Sequence, residues 1–390
     1  MKRIALVFAV VGMGLFGVVG DSVAKVVLTT LDVFTGTNGA LPYGQIVEGS
    51  DSNFYGTTAG GGTNDFGTVF QITSSGTLTT LHSFIDGDGR LPYGGLVEGI
   101  DGNFYGTTTD GGAFSNGTVF VITPNGTLTT LYSFQGTFTD GQHPECSLVQ
   151  GADTNFYGTT NGGSTNRGSV FRISPGGVFS NLYTFSGPDG SNPATGLVLG
   201  GDGNFYGSTG GGGTDDFGTV FMITPSGTLT TLHRFIGTDG FNPTAPLLLA
   251  TDGNFYGTTQ NGGAKNNGTV FRMTTAGTLT TLYSFKGKSD GGGALGGLIQ
   301  ASDGNLYGMT LFGGTKNNGV IYEVVLSPKV KIKQVLQFKG VKGTNGNTES
   351  IPAAGLVQGS DGNFYGATQA GGRSNDGTVF KLNPGFKPAK

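Results

Sequence analysis

The side chains of this sequence that suit ligand binding are concentrated in seven glycine-rich segments, each built around a Gly-Gly pair. Asn and Asp side chains can hydrogen-bond the hydroxyl groups of a sugar, and neighbouring Phe rings can stack on its apolar face. We therefore predict a ligand-binding surface that comprises Asn64, Asp65, Phe66, Asp110, Phe114, Asn166, Asp215, Asp216, Phe217, Asn266, Asn317 and Asn375.

A second interpretation of the same segments is purely conformational. Gly-Gly pairs and Asn or Asp residues are typical of tight turns, in which the side chains hydrogen-bond their own backbone. The composition of the segments is compatible with both interpretations and favours the conformational one.

Acidic residues in two of the segments suggest calcium, because Ca²⁺ prefers carboxylate oxygens. The candidate ligands are Asp65, Asp215 and Asp216. Lys265 and Lys316 hold related places in other segments, and the sequence contains no Asp-x-Asp-x-Asp-Gly loop ending in Glu. We therefore predict no metal site, and no motif indicates a cofactor.

One local cluster has the residue types of nucleophilic catalysis. Cys146 lies close in sequence to His143 and Glu145, but a nucleophile also needs a base in hydrogen-bonding geometry and an oxyanion site. The sequence contains no Gly-x-Ser-x-Gly elbow and no His pair at metal-ligand spacing. No catalytic residue is predicted.

Glu48 and Glu98 hold equivalent positions in neighbouring repeats. Two carboxylates in a central channel would suggest glycoside or lactone hydrolysis. Later repeats have Leu199 and Leu249 at this position, which favours a polar residue satisfied near a turn.

Internal repeats position these residues. A hexapeptide of the form Asn-Phe-Tyr-Gly-Thr-Thr recurs at spacings of 50, 52, 49, 50, 51 and 58 residues. Its tyrosines are Tyr55, Tyr105, Tyr157, Tyr206, Tyr256, Tyr307 and Tyr365. This period is longer than that of leucine-rich, ankyrin or tetratricopeptide repeats.

Each repeat contains four short β-type runs. In the second repeat they cover residues 96–98, 103–108, 118–123 and 127–134, with tight-turn compositions after the first and third runs. A four-stranded meander is one propeller blade, so we predict an all-β, seven-bladed β-propeller. The long loops, between the second and third strands and between blades, emerge on one face, which is the predicted binding face.

The two ends of the repeat array predict how the ring closes. Residues 26–34 match a fourth strand, whereas residues 378–382 match a third strand with no fourth strand after it. The N-terminal strand is therefore expected to complete the last blade, which removes open sheet edges. A solenoid with capped ends is the alternative architecture. The irregular stretch 326–355 is a second candidate contact region.

The run Asp-Gly-Asn-Phe-Tyr-Gly-Thr-Thr, followed by Gly-Gly and Gly-Thr-Val-Phe-x-Ile-Thr, resembles the repeat of the bacterial GloVer tandem-repeat proteins. The resemblance covers nearly all of residues 26–383. It implies an exported protein of unestablished activity, often joined to a C-terminal surface-sorting anchor. Residues 383–390 contain no apolar tail of that kind. The strand order also resembles that of lactonase-like and other propellers.

Composition limits the function classes further. Glycine accounts for 77 of 390 residues without a collagen period, and a net charge of −4 is unlike that of a nucleic-acid binder. Residues 1–24 have the charged start and apolar run of a signal peptide. We expect residues 25–390 to form one secreted or periplasmic, monomeric propeller domain, with no nucleic-acid partner and no membrane association after signal cleavage.

These features predict an exported, non-enzymatic recognition or scaffold module. Its expected partner is an extracellular glycan or a surface protein. The alternative is a propeller hydrolase or lyase that acts on a sugar or a lactone.

Overall fold

A computed structural model describes residues 26–385, except 138–139, 164–166, 194, 328, 339–351 and 353. The signal peptide predicted at 1–24 and most of the irregular loop before residue 355 lie outside the described residues. In the described part, the chain forms seven four-stranded antiparallel sheets. It contains no helix of the length and hydrophobicity needed to span a bilayer.

The strands follow one another in chain order, with the innermost strand of each blade first. Strand β1 (Val27–Val33) precedes blade 1, which comprises β2 (Val47–Glu48), β3 (Phe54–Thr58), β4 (Thr68–Ile72) and β5 (Leu78–Ser83). Blade 2 comprises β6 (Val97–Glu98), β7 (Phe104–Thr108), β8 (Thr118–Ile122) and β9 (Leu128–Ser133). Blade 3 comprises β10 (Val149–Gln150), β11 (Phe156–Thr160), β12 (Ser169–Ile173) and β13 (Phe179–Thr184). Blade 4 comprises β14 (Val198–Leu199), β15 (Phe205–Thr209), β16 (Thr219–Ile223) and β17 (Leu229–Arg234).

The remaining three blades repeat this order. Blade 5 comprises β18 (Leu248–Leu249), β19 (Phe255–Thr259), β20 (Thr269–Met273) and β21 (Leu279–Ser284). Blade 6 comprises β22 (Ile299–Gln300), β23 (Leu306–Thr310), β24 (Val320–Val325) and β25 (Lys331–Gln337). Blade 7 comprises β26 (Val357–Gln358), β27 (Phe364–Thr368), β28 (Thr378–Asn383) and, as its outer strand, β1.

The N-terminal strand closes the ring. β1 pairs antiparallel with β28, from Val27 opposite Asn383 to Val33 opposite Thr378. The predicted all-β seven-bladed propeller and its closure are therefore confirmed, and the strand bounds in the second repeat agree with the predicted runs to within one residue.

The second strand of each blade is buried on both faces, because neighbouring blades cover it. Its central glycine is required by a close approach. A Cβ on Gly56 would lie 2.6 Å from the ring of Phe70, which pairs with Gly56 across the sheet. The alternation of a large ring and a missing side chain lets β3 and β4 pack without a void.

The apolar core consists of clusters between adjacent blades. The tyrosine of one blade meets the phenylalanine of the next, as in the stack of Tyr55 on Phe104 with ring centroids 4.0 Å apart. The rings of Tyr105 and Phe156, Tyr157 and Phe205, and Tyr365 and Phe54 are stacked in the same way. Tyr206 meets Phe255 at a tilt, and Tyr307 meets Phe364 edge to face. At the junction of blades 5 and 6, Leu306 takes the place of the phenylalanine.

Each of these tyrosines also has a polar anchor. Tyr55 donates its hydroxyl hydrogen bond to Asp51 at 2.8 Å, and the other six repeat tyrosines make the same bond to an aspartate four residues earlier. Burial and the bond to Asp51 raise the pKa of Tyr55 to about 12. The phenol therefore stays neutral and donates this hydrogen bond across the physiological pH range.

A second set of bonds joins the blades at the short-turn face. Glu98 accepts hydrogen bonds from the backbone N–H of Ser50 at 2.9 Å and from its hydroxyl at 2.6 Å. Glu48 makes the same pair of bonds with Ser360. The turn of the preceding blade thus supplies the hydrogen-bond donors of these carboxylates. The hypothesis that Glu48 and Glu98 form a carboxylate pair for hydrolysis in the central channel does not apply to them.

Removal of β1 tests the closure. We expect deletion of residues 26–33 to lower the melting temperature sharply or to abolish folding, because β28 would lose its partner and the ring would open. Thermal denaturation followed by circular dichroism measures this effect. A synthetic peptide of residues 26–34, added in excess, should restore part of the lost stability. An unchanged melting curve after the deletion would contradict closure by this strand.

Replacement of Glu98 tests the bonds between blades. We expect Glu98→Leu to lower the free energy of unfolding by about 1–2 kcal/mol, because the N–H and hydroxyl groups of Ser50 lose a charged acceptor. Urea denaturation measures the change. Glu98→Gln is the matched control, since Gln still accepts from the backbone N–H, and its loss should be smaller. Equal losses would show that hydrogen bonding does not explain the effect.

Candidate functional site

A cavity of about 300 Å³ lies where equivalent segments of all seven blades converge. These segments directly precede the innermost strands and are called the rim segments below. They are residues 43–45, 93–95, 145–147, 195–196, 244–246, 295–297 and 354–355. The inner strands run from this cavity towards the short turns, so the cavity opens on the long-loop face.

Just before five of the rim segments, one non-glycine residue adopts a strained backbone conformation. Leu41, Leu91, His143, Asn192 and Asn242 have φ between 54° and 58°. This conformation costs non-glycine residues about 1–2 kcal/mol. It persists because each residue is held on both sides. The N–H of Leu91, for example, donates to Phe66 of the previous blade at 3.0 Å, and its carbonyl accepts from Thr109 of its own blade at 3.1 Å.

Buried threonines form hydrogen bonds with the backbone of the rim segments. The hydroxyl of Thr57 in blade 1 donates to the carbonyl of Gly94 in blade 2 at 2.9 Å. Thr107 in blade 2 makes the same bond to Cys146 in blade 3. The cavity wall is therefore attached to the second strand of the preceding blade, which is fully buried. Such a wall is pre-organised before any ligand arrives.

A proline precedes the cavity wall in most blades, and the residue after it differs from blade to blade, although the strands around it are nearly identical. In the described rim segments this position holds Tyr43, Tyr93, Glu145 and Thr244, and in blade 6, where Ala294 replaces the proline, it holds Leu295. All five residues line the cavity. The corresponding residues of blades 4 and 7 are alanines in the sequence. The chemical character of the cavity wall therefore differs from one blade to the next.

The large side chains at this position are on three consecutive blades. The rings of Tyr43 and Tyr93 meet edge to face, with centroids 4.9 Å apart. Burial raises the pKa of Tyr93, and the nearby groups Tyr43, Glu145 and Asp110 raise it further. Blades 1 to 3 thus form an aromatic and acidic side of the cavity.

Glu145 is the charged residue of that side. Its Oε2 accepts a hydrogen bond from Asn161 at 3.1 Å. Burial raises the pKa of Glu145, and the hydrogen bond from Asn161 and the charge of His143 only partly oppose this effect. The described lining residues include no Lys or Arg. The ionised carboxylate is therefore held in the cavity wall without a compensating cation from that wall.

The neighbouring Cys146 and His143 do not form a catalytic pair. The Cys146 sulfur contacts only Thr159, whose N–H and hydroxyl both lie 3.2 Å away, and burial raises the pKa of the thiol. The Nδ1 of His143 lies 3.1 Å from the carbonyl of Thr109 and 3.0 Å from Asp110. A neutral, buried thiol without a base is a poor nucleophile.

Five of the residues predicted to bind ligand close their own loops. Their side-chain oxygens accept a hydrogen bond from the glycine N–H four residues earlier, as in the bond of Asp65 with Gly61 at 2.7 Å. The same bond is made by Asp216, Asn266, Asn317 and Asn375. All five have positive φ. These residues shape the loops in the way that the turn interpretation describes.

The other predicted residues are dispersed over the long-loop face. Phe66 and Phe217 pack between blades, Asn64 donates a hydrogen bond to a carbonyl, Asp110 contacts His143, and Phe114 and Asp215 are exposed. Asn166 lies outside the described residues. None of the described ones lines the axial cavity.

The calcium alternative lacks a common site. Asp65 belongs to blade 1, whereas Asp215 and Asp216 belong to blade 4, so the three carboxylates do not converge. In the described residues, no group of three or more His, Cys, Asp or Glu side chains is placed to hold a metal ion.

Family comparisons support the repeat assignment. The sequence profile of the Gloeobacter/Verrucomicrobia repeat matches residues 17–201 and again 147–351. The chain belongs to this repeat family. The match spans the rim segments of blades 1 to 6, so the cavity is built from the family's own repeat unit. No functionally curated protein matches the sequence.

Solved structures similar to this Gloeobacter/Verrucomicrobia repeat protein show the fold alone. One is the extracellular domain of a proposed hybrid two-component system from Bacteroides thetaiotaomicron, with 11% identity, a TM-score of 0.60 and coverage of 90% of this chain but 39% of that chain. Another is a proposed 6-phosphogluconolactonase from Bacteroides uniformis, with 17% identity, a TM-score of 0.50 and coverage of 83% and 87%. A gluconolactonase from Xanthomonas campestris has 13% identity, a TM-score of 0.45 and coverage of 92% and 89%.

The sequence analysis identified the long loops of this repeat protein as candidate contacts and did not consider the rim residues that line the axial cavity. A signal was present, because the residue after the recurring rim proline is Tyr, Tyr, Glu, Ala and Thr in blades 1 to 5. Variation at one position of an otherwise constant repeat marks the position that is free of the scaffold's own constraints.

The half-buried carboxylate of Glu145 gives a test of the site. Its pKa is raised above the ordinary value of 4.5, so the folded state loses stability relative to the unfolded state as the pH rises from that ordinary value through the raised pKa. Glu145→Gln should therefore raise the melting temperature near pH 7, and the gain should vanish at about pH 3, where Glu145 is neutral in both states. Differential scanning calorimetry at the two pH values measures this difference.

Asp215→Asn is the matched control for this experiment, because Asp215 is an exposed carboxylate on the same face. No gain is expected from it. A lower melting temperature of Glu145→Gln near pH 7 would show instead that the carboxylate supports the fold through Asn161.

Proposed function

We propose that this repeat protein is an exported, non-enzymatic recognition module that binds an extracellular saccharide in the axial cavity. The observation that carries this proposal is the cavity itself, with its variable wall of tyrosine, glutamate and threonine side chains on an otherwise uniform ring. Saccharide sites combine aromatic surfaces with a few polar groups that fix orientation, and both are present here.

The polar groups suit a hydroxyl-rich ligand. Gln45, Thr195, Thr244 and Gln369 line the cavity together with Glu145. Amide and hydroxyl groups of this kind donate hydrogen bonds to the hydroxyl groups of a sugar and accept hydrogen bonds from them.

Secretion to the periplasm or cell exterior belongs to this proposal. It is supported by the apolar start of the sequence after Lys2 and Arg3. A monomer suffices for binding, because one ring contains the complete cavity wall. A surface protein remains the second kind of partner that the long-loop face would suit.

A propeller hydrolase or lyase is the alternative function. A glycosidase uses two carboxyl groups that flank the scissile bond. Among the described lining residues, Glu145 is the only carboxylate. This arrangement favours recognition over hydrolysis by a carboxylate pair.

A glycan-array screen of the purified protein, with calcium and again with chelator, tests this function. We expect binding to a restricted group of saccharides, and we expect Tyr93→Ala to reduce their affinity about tenfold or more, because a stacking surface is lost. Phe114→Ala is the matched control. Phe114 is an exposed ring on the same face, outside the cavity, and its removal should leave the affinity unchanged.

The alternative outcomes distinguish the candidate functions. Equal losses in both variants would place binding on the loops and not in the cavity. Absence of saccharide binding in both conditions would contradict the proposal. Cleavage or ring opening of a sugar or lactone by the wild-type protein, lost in Glu145→Gln, would establish the enzymatic alternative.

A further inference from the structure

We propose that the axial cavity selects saccharides that carry a protonated amine, with Glu145 as the carboxylate that pairs with the amine. This inference rests on the proposed saccharide recognition and specifies its ligand class. The protein would then bind amino sugars whose amine is not acetylated.

The charge distribution of the cavity wall is the first observation. Glu145 is the only charged residue among the described residues that line the cavity. Its Oε2 is bonded to Asn161, whereas Oε1 has no hydrogen-bond partner in the described part of the chain. One carboxylate oxygen is therefore available for a donor that comes from outside.

The nearby cationic candidate within the protein is already engaged. Nδ1 of His143 faces the carboxylate of Asp110 at 3.0 Å and the carbonyl of Thr109 at 3.1 Å. His143 therefore does not neutralise Glu145 by a direct hydrogen bond. An ionised carboxylate that is half-buried without a paired cation is unfavourable, and a ligand ammonium would supply the missing charge.

The aromatic side of the cavity is the second observation. Tyr43 and Tyr93 line the wall on the two blades that precede Glu145, and the Glu145 carboxylate is near enough to Tyr93 to contribute to the raised pKa of its phenol. Aromatic faces attract ammonium groups electrostatically, and the attraction grows when the site is desolvated. Two tyrosines beside a carboxylate thus favour a cation over a neutral group of the same size.

The opposite side of the cavity offers room and no competing charge. The rim segments of blades 4 to 6 contribute Thr195, Thr244, Leu295 and glycines. A sugar ring can lie against these small residues while its amine faces Glu145. The asymmetry of the wall thereby gives the ligand one orientation.

Calorimetric titration with three probes tests this selectivity. The probes are the trimer of glucosamine, its fully N-acetylated form and cellotriose, which share length and linkage and differ at one position of each ring. At about pH 6, which lies below the pKa of the amine of an amino sugar and above the ordinary pKa of a carboxylate, the glucosamine trimer should bind about tenfold or more tightly than either neutral trimer. Its affinity should fall as salt is added.

Two variants assign the effect to the cavity. Glu145→Gln should remove the difference between the charged and the neutral trimers. Asp215→Asn removes a carboxylate from the same face but outside the cavity, and it should keep the wild-type preference. Melting temperatures of both variants verify that they are folded.

Three other results would each contradict one of these proposals. Equal affinity of the wild-type protein for the three trimers would overturn amine selectivity and leave saccharide recognition intact. A preference that persists in Glu145→Gln would overturn the role of Glu145. Binding of no saccharide in the array or in these titrations would overturn both proposals.

Discussion

The stack of a tyrosine on the phenylalanine of the next blade is the contact on which the ring depends. The rings are stacked at four of the seven junctions, tilted at a fifth and edge to face at a sixth, and at the remaining one Leu306 replaces the phenylalanine. Large aromatic surfaces between sheets contribute most of the burial that a short-stranded protein needs. The hydroxyl of the same tyrosine bonds an aspartate in its own blade, which fixes the ring orientation. One side chain thus couples the blade's own turn to the neighbouring blade.

A ring held in this way tolerates change at its rim. Contacts between blades are made by the buried second and third strands and by the short-turn face, where Glu98 bonds Ser50. The variable rim residues line the axial cavity and lie outside these contacts, although the rings of Tyr43 and Tyr93 also meet across the junction of blades 1 and 2. Tyr43, Glu145 and Leu295 can therefore occupy equivalent places without altering the blades that present them. Because the contacts that make the scaffold rigid lie away from the cavity, the residues of the cavity wall can differ between blades.

The sequence specified the fold closely because the fold is made by local, repeated signals. Strand bounds such as those of Phe104–Thr108 followed from turn residues and apolar runs, and closure followed from the matching fragments at the two ends. The site was less accessible to such reasoning. Asp65 and Asn375 looked like ligand groups, but whether their oxygens face solvent or their own loop depends on positive φ values that composition does not reveal. Glu145 and Tyr43 lie about a hundred residues apart in sequence, and only the closed ring brings them to one cavity.

Sevenfold repetition poses a problem for recognition, because a symmetric wall cannot orient an asymmetric ligand. This protein breaks the symmetry on one side, where blades 1 to 3 present two tyrosines and a glutamate, while the other described rim segments present small or apolar residues. The break has an energetic cost, since Glu145 is held where burial disfavours its charge. Blades 5 and 6 avoid this cost, because Thr244 and Leu295 hold the same position. The proposed recognition of a saccharide accounts for a destabilising carboxylate in the cavity wall, because binding sites trade stability for function.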